Sequence, residues 1–107
     1  MNYKKSWKED NMLTGKQKRF LRSEAHHIKP IFQVGKEGVG ENMVKQISDA
    51  LEKRELIKVS VLQNCMEDKD VVADQLSKGA NAELVQVIGN NIVLYKESKE
   101  NKQLELP

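Results

Sequence analysis

A chain of 107 residues, 38% apolar and 32% charged, fits one soluble globular domain with a modest core. No apolar run approaches the roughly 18 residues of a membrane span, no apolar segment follows Lys4 and Lys5 as a secretory leader would need, and the single cysteine, Cys65, excludes an internal disulfide and fits a reducing, cytoplasmic setting. The net charge of +2 hides an asymmetry: residues 1–40 carry nine Lys/Arg against four acids, the remainder nine against twelve, so the amino-terminal third is the part suited to a polyanion.

Residues 1–12 are polar and without period up to Met12, and read as a flexible extension in which Tyr3 and Trp7 are exposed. Thr14 is a candidate N-cap for a first helix running to about His27. Leu21, Ala25 and Ile28 fall at i, i+4 and i+7 and face a core that Leu13 and Phe20 can join, while Lys16, Lys18, Arg19 and Arg22 give the helix a basic face. His26 and His27 point about 100° apart on a helix, so they cannot grip one metal from one face and read as C-terminal histidines. Pro30 ends the helix and holds Lys29 extended.

Ile31–Val34 then reads as a strand and Glu41–Arg54 as a second helix with an inward stripe of Met43, Val44, Ile47, Ala50 and Leu51. Leu56–Leu62 alternates cleanly as a strand. A third helix is expected from about Asp68 to Lys78, with Val71, Val72 and Leu76 inward, acids favouring its dipole at the start, and Gly79 as its stop. Ala82–Ile88 and Ile92–Lys96 read as strands joined by a turn at Gly89-Asn90-Asn91. From Glu97 the charged tail, residues 97–107, reads as disordered. The order α-β-α-β-α-β-β implies parallel crossovers followed by an antiparallel hairpin. The expected fold is therefore α/β, of the two-layer α+β kind, with a mixed four-stranded sheet.

Between the first strand and the second helix lies Gly35-Lys36-Glu37-Gly38-Val39-Gly40. Glycines here admit positive φ and close backbone approach, and a helix start just beyond offers unpaired N–H groups and partial positive charge. Gly35-Lys36-Glu37-Gly38 is a GxxG carrying a cation, a form that can clamp a nucleic-acid backbone; taken alone it is also what an ordinary tight turn looks like. No Walker loop, dinucleotide fingerprint, nucleophile–base set or metal-ligand spacing is present, so no catalytic residue, metal ligand or cofactor is assigned. The residues leave open an RNA-binding protein, a protein-interaction module whose basic face docks an acidic partner, and a small enzyme on a phosphorylated substrate with only Glu37 near the loop.

Several blocks resemble, in order, the CRM domain, the chloroplast RNA splicing and ribosome maturation domain: Leu13-Thr14, Gln17, Phe20-Leu21-Arg22, Ala25-His26, Ile28-Lys29-Pro30 and Val34–Gly38, then Leu56–Val59, Glu83–Gly89 and Ile92–Lys96. The similarity runs over residues 13–96 and is that of a stand-alone bacterial YhbY-like protein. It implies a fold like the carboxy-terminal domain of translation initiation factor three and no enzymatic activity. It implies RNA as partner, ribosomal RNA of large-subunit precursors in particular, with no membrane and no small-molecule substrate. Carried over by position, the RNA-contacting residues are Gly35, Lys36, Glu37 and Gly38 with Lys16, Lys18, Arg19, Arg22 and Lys29. Where a Ser or Thr helix cap is expected this chain has Gly40, at a cost of only a few tenths of a kcal/mol.

Overall fold

The computed structural model describes residues 13–107, and the expected amino-terminal extension, with Tyr3 and Trp7, lies outside them. The elements are α1 (Gly15–Ala25), β1 (Phe32–Val34), α2 (Glu41–Arg54), β2 (Leu56–Val61), α3 (Lys69–Gly79), β3 (Glu83–Ile88) and β4 (Asn91–Tyr95), in the expected order. The strands form one sheet, β1-β2-β4-β3. β1 pairs parallel with β2, and β4 pairs antiparallel with both β2 and β3. β3 therefore runs parallel to β2, and β4 returns into the gap between them.

Because strand side chains alternate, each strand feeds two faces. Ile57, Val59 and Val61 of β2 and Ile92 and Leu94 of β4 face α2 and α3, where Ile47, Leu51, Val72, Ala73 and Leu76 complete the main core. Leu56, Val93 and Tyr95 face the other way and pack with Leu13, Leu21 and Ala25, so α1 covers part of the opposite face. The expectation of two layers holds for the sheet with α2 and α3; α1 adds a partial third. A bulge in β3 sets Gln86 opposite Val93 and Leu84 opposite Leu94, leaving Val85 extra. Val85 packs on the α1 side while Leu84 and Val87 pack on the other, so beyond the bulge the alternation is reset.

Local sequence explains most boundaries. Thr14 and Gln17 form a capping box on α1: the Gln17 N–H donates to Thr14 Oγ1 at 3.1 Å and the Thr14 N–H to Gln17 Oε1 at 3.0 Å. Asp68 caps α3 by accepting from the Asp70 N–H at 2.9 Å. Two expectations for α3 are corrected. Gly79 does not stop the helix. The left-handed residue is Asn81, φ 54°, with the Ala82 N–H donating to Ser77 O and the Asn81 N–H to Lys78 O, the two bonds of a Schellman motif. Gly79 serves packing instead, since a Cβ there would lie 3.1 Å from Val44 Cγ1 on α2. Val71 is exposed, because the buried side of α3 is set by Val72, Ala73 and Leu76.

The tail is also placed otherwise than its composition suggests. Glu55, which ends α2 at φ 64° and is fully buried, accepts N–H donors from Ser98, Gln103 and Leu104. Glu52 accepts the Ser98 hydroxyl and the Lys99 and Glu100 N–H groups. Leu104 and Leu106 then pack on the α1 cluster. Backbone donors saturating two carboxylates hold a segment that its own side chains would not.

Candidate nucleic-acid interface

The Gly35–Gly38 segment is a closed turn, with the Gly38 N–H donating to Gly35 O at 3.0 Å. Gly38 has φ +70°, whereas Lys36 and Glu37 keep negative φ, so the turn needs glycine at its last position. Gly35 has no such need; a Cβ there would sit in ordinary contact, 3.5 Å from Asn64 Oδ1 and 3.6 Å from Leu62 Cδ1. Lys36 and Glu37 stand exposed at the apex. Behind them α2 begins at Gly40, extended at φ −111°, with no side-chain cap on the first-turn N–H groups. The dipole end of a 14-residue helix is thus left open beside the turn. The loop itself is not basic: Lys36 is offset by Glu37 and by Glu41 in the first turn of α2. Attraction for a polyanion must come from those N–H groups and from cations elsewhere.

α1 supplies the cations. Lys16, Arg19 and Arg22 are exposed and Lys18 is half-buried, and among the described residues none lies within ion-pair distance of a carboxylate. Arg19, Arg22 and His26 follow one another along the helix at i, i+3 and i+7. Arg22 and His26 reach a shallow groove of about 250 Å³ on the uncovered part of the sheet, walled by Lys58, Gln86, Ile88 and Asn91. Lys16 lies six residues before Arg22, about 9 Å along the axis. Lys29 is on a different surface, in a hollow of about 410 Å³ with Ile31, Arg54 and Gln103.

Loop and groove share one end of the sheet. β1, β2 and β3 run the same way, so Gly35, Leu62 and Gly89 follow at the same edge. The Leu62 N–H donates to Val34 O and the Val61 N–H to Asn90 O, linking the three strand ends. Two strand spacings separate Gly35 from Asn90, about 10 Å. The structure therefore brings Arg22, and through it the basic side of α1, toward the loop, and leaves Lys29 apart.

The CRS1/YhbY (CRM) domain model matches residues 13–96, from the residue before the α1 cap to the residue after β4. The chain belongs to the CRM domain family. A Bacillus subtilis relative, named probable RNA-binding protein YqeI, is 76% identical and matches 90% of this chain and all of its own length. A Haemophilus influenzae relative named RNA-binding protein is 39% identical over 89% of this chain and 95% of its own. The solution structure of SAV1595 from Staphylococcus aureus superposes with a TM-score of 0.75 at 67% identity, covering 90% of this chain and all of that one.

Within this CRM domain, sequence reasoning missed Lys58, Gln86 and Asn91. A signal for Lys58 existed: in Leu56–Val61 it interrupts the apolar residues at the phase opposite to Ile57, Val59 and Val61, which puts it on the other face. Gln86 and Asn91 carried none, because the β3 bulge decides which way Gln86 faces.

Proposed function

We propose that this chain is a non-catalytic RNA-binding protein of the cytoplasm that attaches to ribosomal RNA in large-subunit precursors during ribosome assembly. The Gly35–Gly38 turn and the α2 N-terminus hold one phosphate stretch while Lys16, Lys18, Arg19 and Arg22 draw the neighbouring backbone along α1. The observation that carries this reading is the uncapped start of α2 behind a tight glycine turn, on the sheet end that Arg22 also faces. Backbone N–H groups and a helix dipole suit a phosphate, which carries its charge on acceptor oxygens only. The names of the B. subtilis and H. influenzae relatives support RNA as the ligand. Contacts to backbone position an RNA without reading its sequence, so the preference for bases is expected to be weak.

The test replaces Lys36 and Glu37 together with Asp. Both glycines stay, so the turn survives, and two negative charges stand where the phosphate sits. RNA affinity should fall by about 2 kcal/mol or more at low salt with thermal stability unchanged. A folded double variant that binds precursor large-subunit RNA as tightly as the parent refutes the loop. With four to six phosphates contacted, log K against log salt should slope at roughly −3 to −4 for single strands. Crosslinking in cells with sequencing of the bound RNA tests the ribosomal part: reads scattered over messenger RNAs would remove it.

A further inference from the structure

We infer that the groove beside α1 is a separate pocket for one unpaired nucleotide of the bound RNA, an inference that rests on the RNA-binding reading. Polar side chains from four elements converge there: Arg22 and His26 from the end of α1, Lys58 from β2, Gln86 from β3 and Asn91 from β4. Among the described residues none of these side chains hydrogen-bonds to another protein group, although Lys58, Gln86 and Asn91 are half-buried. Their polar ends stay within reach of solvent, so three side chains from three strands line one hollow free to bond a ligand.

The chemistry selects the ligand. No carboxylate lines the groove and Arg22 and Lys58 are cations, which favours an anion. Gln86 and Asn91 each offer a carbonyl acceptor and an NH₂ donor, the pairing that a base edge needs and a bare phosphate does not. Ile88, 48% exposed at the lip, gives an apolar edge for a ring. No Phe, Tyr or Trp lines the groove, so a base would lie against the planes of Arg22 or His26, as bases of single-stranded RNA do on guanidinium and imidazole groups. Its volume of about 250 Å³ is below the roughly 300–1,000 Å³ of pockets that enclose a whole small ligand, and suits one base still tethered to its chain. The β3 bulge turns Gln86 to this side, and Lys69 Nζ, donating to Gly89 O at 2.7 Å, steadies the turn that ends it.

A duplex cannot present a splayed base, so the groove predicts a preference for single strands. Affinity of the full chain is measured for a labelled ten-nucleotide single strand and for a blunt RNA duplex of equal length. The Gln86→Ala/Asn91→Ala variant, which changes no charge, should lose about fivefold or more for the single strand and nothing for the duplex. A second measurement needs no variant: uridine or adenosine 5′-monophosphate titrated into the labelled wild-type chain should shift the amides of Gln86, Ile88, Gly89 and Asn91. Equal binding of single strand and duplex by the parent, an undiminished double variant, or shifts confined to Gly35–Met43 would each overturn the groove and leave the loop clamp standing. Loss of binding in the Lys36/Glu37 aspartate variant alone supports only the clamp. A parent chain that binds neither RNA form ends both readings.

Discussion

The two faces of the sheet are built from the same strands and put to different uses. Toward α2 and α3, Ile57, Val59, Val61, Ile92 and Leu94 are at most 7% exposed and make a closed core. Toward α1, Leu56, Val93 and Tyr95 are buried, yet Lys58, Ser60 and Asn91 alternate with apolar neighbours and remain half-open. The difference follows from cover. Two helices bury one face fully, whereas α1 and the tail bury only part of the other. Stability therefore concentrates on the first face, and the second can carry polar groups that would be too costly to desolvate in a closed core.

The contrast breaks first where it is steepest. Leu51→Ala, in the α2–α3 core, should cost about 3 kcal/mol, while Ile88→Ala at the groove lip should stay within about 0.5 kcal/mol. Denaturant melts of both variants decide it; similar losses would mean that the open face is structural too.

Next in size is the tail latch. Glu55→Ala leaves the N–H groups of Ser98, Gln103 and Leu104 without their acceptor and should cost about 2 kcal/mol. Amide exchange of residues 98–104 should accelerate, and persisting protection there would show that Leu104 and Leu106 alone dock the tail. The same latch responds to pH. The Lys99 N–H, then the Ser98 hydroxyl and the Glu100 N–H, hold the Glu52 carboxyl below its ordinary 4.5. A lowered folded value contributes stability that is complete above the unfolded value and lost as pH falls through the folded one, so the tail should loosen only below about pH 4.5. At the alkaline end burial, with Glu55 and Glu97 adding, pushes Tyr95 up from 10.0 to about 12. The neutral phenol is favoured by the fold, and its contribution is lost as pH rises from 10 toward 12.

These features differ in how far the sequence discloses them. α2 runs over the residues its apolar stripe predicts, because Met43 to Leu51 repeat at helical spacing directly after a glycine loop. The capping box of α1 is equally local. The latch is not legible: Glu55 looks like any acid at a helix end, and its partners are backbone N–H groups 43 to 49 residues away, which no side chain announces. Gly79 misleads because a helix-end glycine has two causes, positive φ and close packing, and only the position of Val44 tells them apart. The loop is visible as a pattern. The groove is not, since it depends on a bulge that re-aims Gln86 and on α1 stopping short.

Gly79→Ala sharpens the packed side at smaller scale. Alanine gains about 1 kcal/mol in helix propensity, but its Cβ meets Val44 at 3.1 and 3.2 Å, and overpacking costs about 1–3 kcal/mol. A net loss of about 1 kcal/mol is expected, relieved when Val44→Ala is added. A stabilised single variant would show that α2 and α3 can part freely.

Gly40→Ser carries the smallest stability effect and separates the two uses of the fold at one residue. Gly40 has extended φ and ψ, and a side chain there would meet no atom within 4 Å, so serine fits without strain. Its hydroxyl can accept from a first-turn N–H of α2, which should raise stability by a few tenths of a kcal/mol. In the RNA-binding reading those same N–H groups face a phosphate, and a donor taken by serine is no longer available to it. The variant should melt slightly higher and bind RNA more weakly, the opposite of what damage to the fold produces. Paired melting and binding curves at one salt concentration check both signs. If stability rises and RNA affinity is unchanged, the α2 N-terminus takes no part in the contact, and the cations of α1 with the groove must hold the RNA without it.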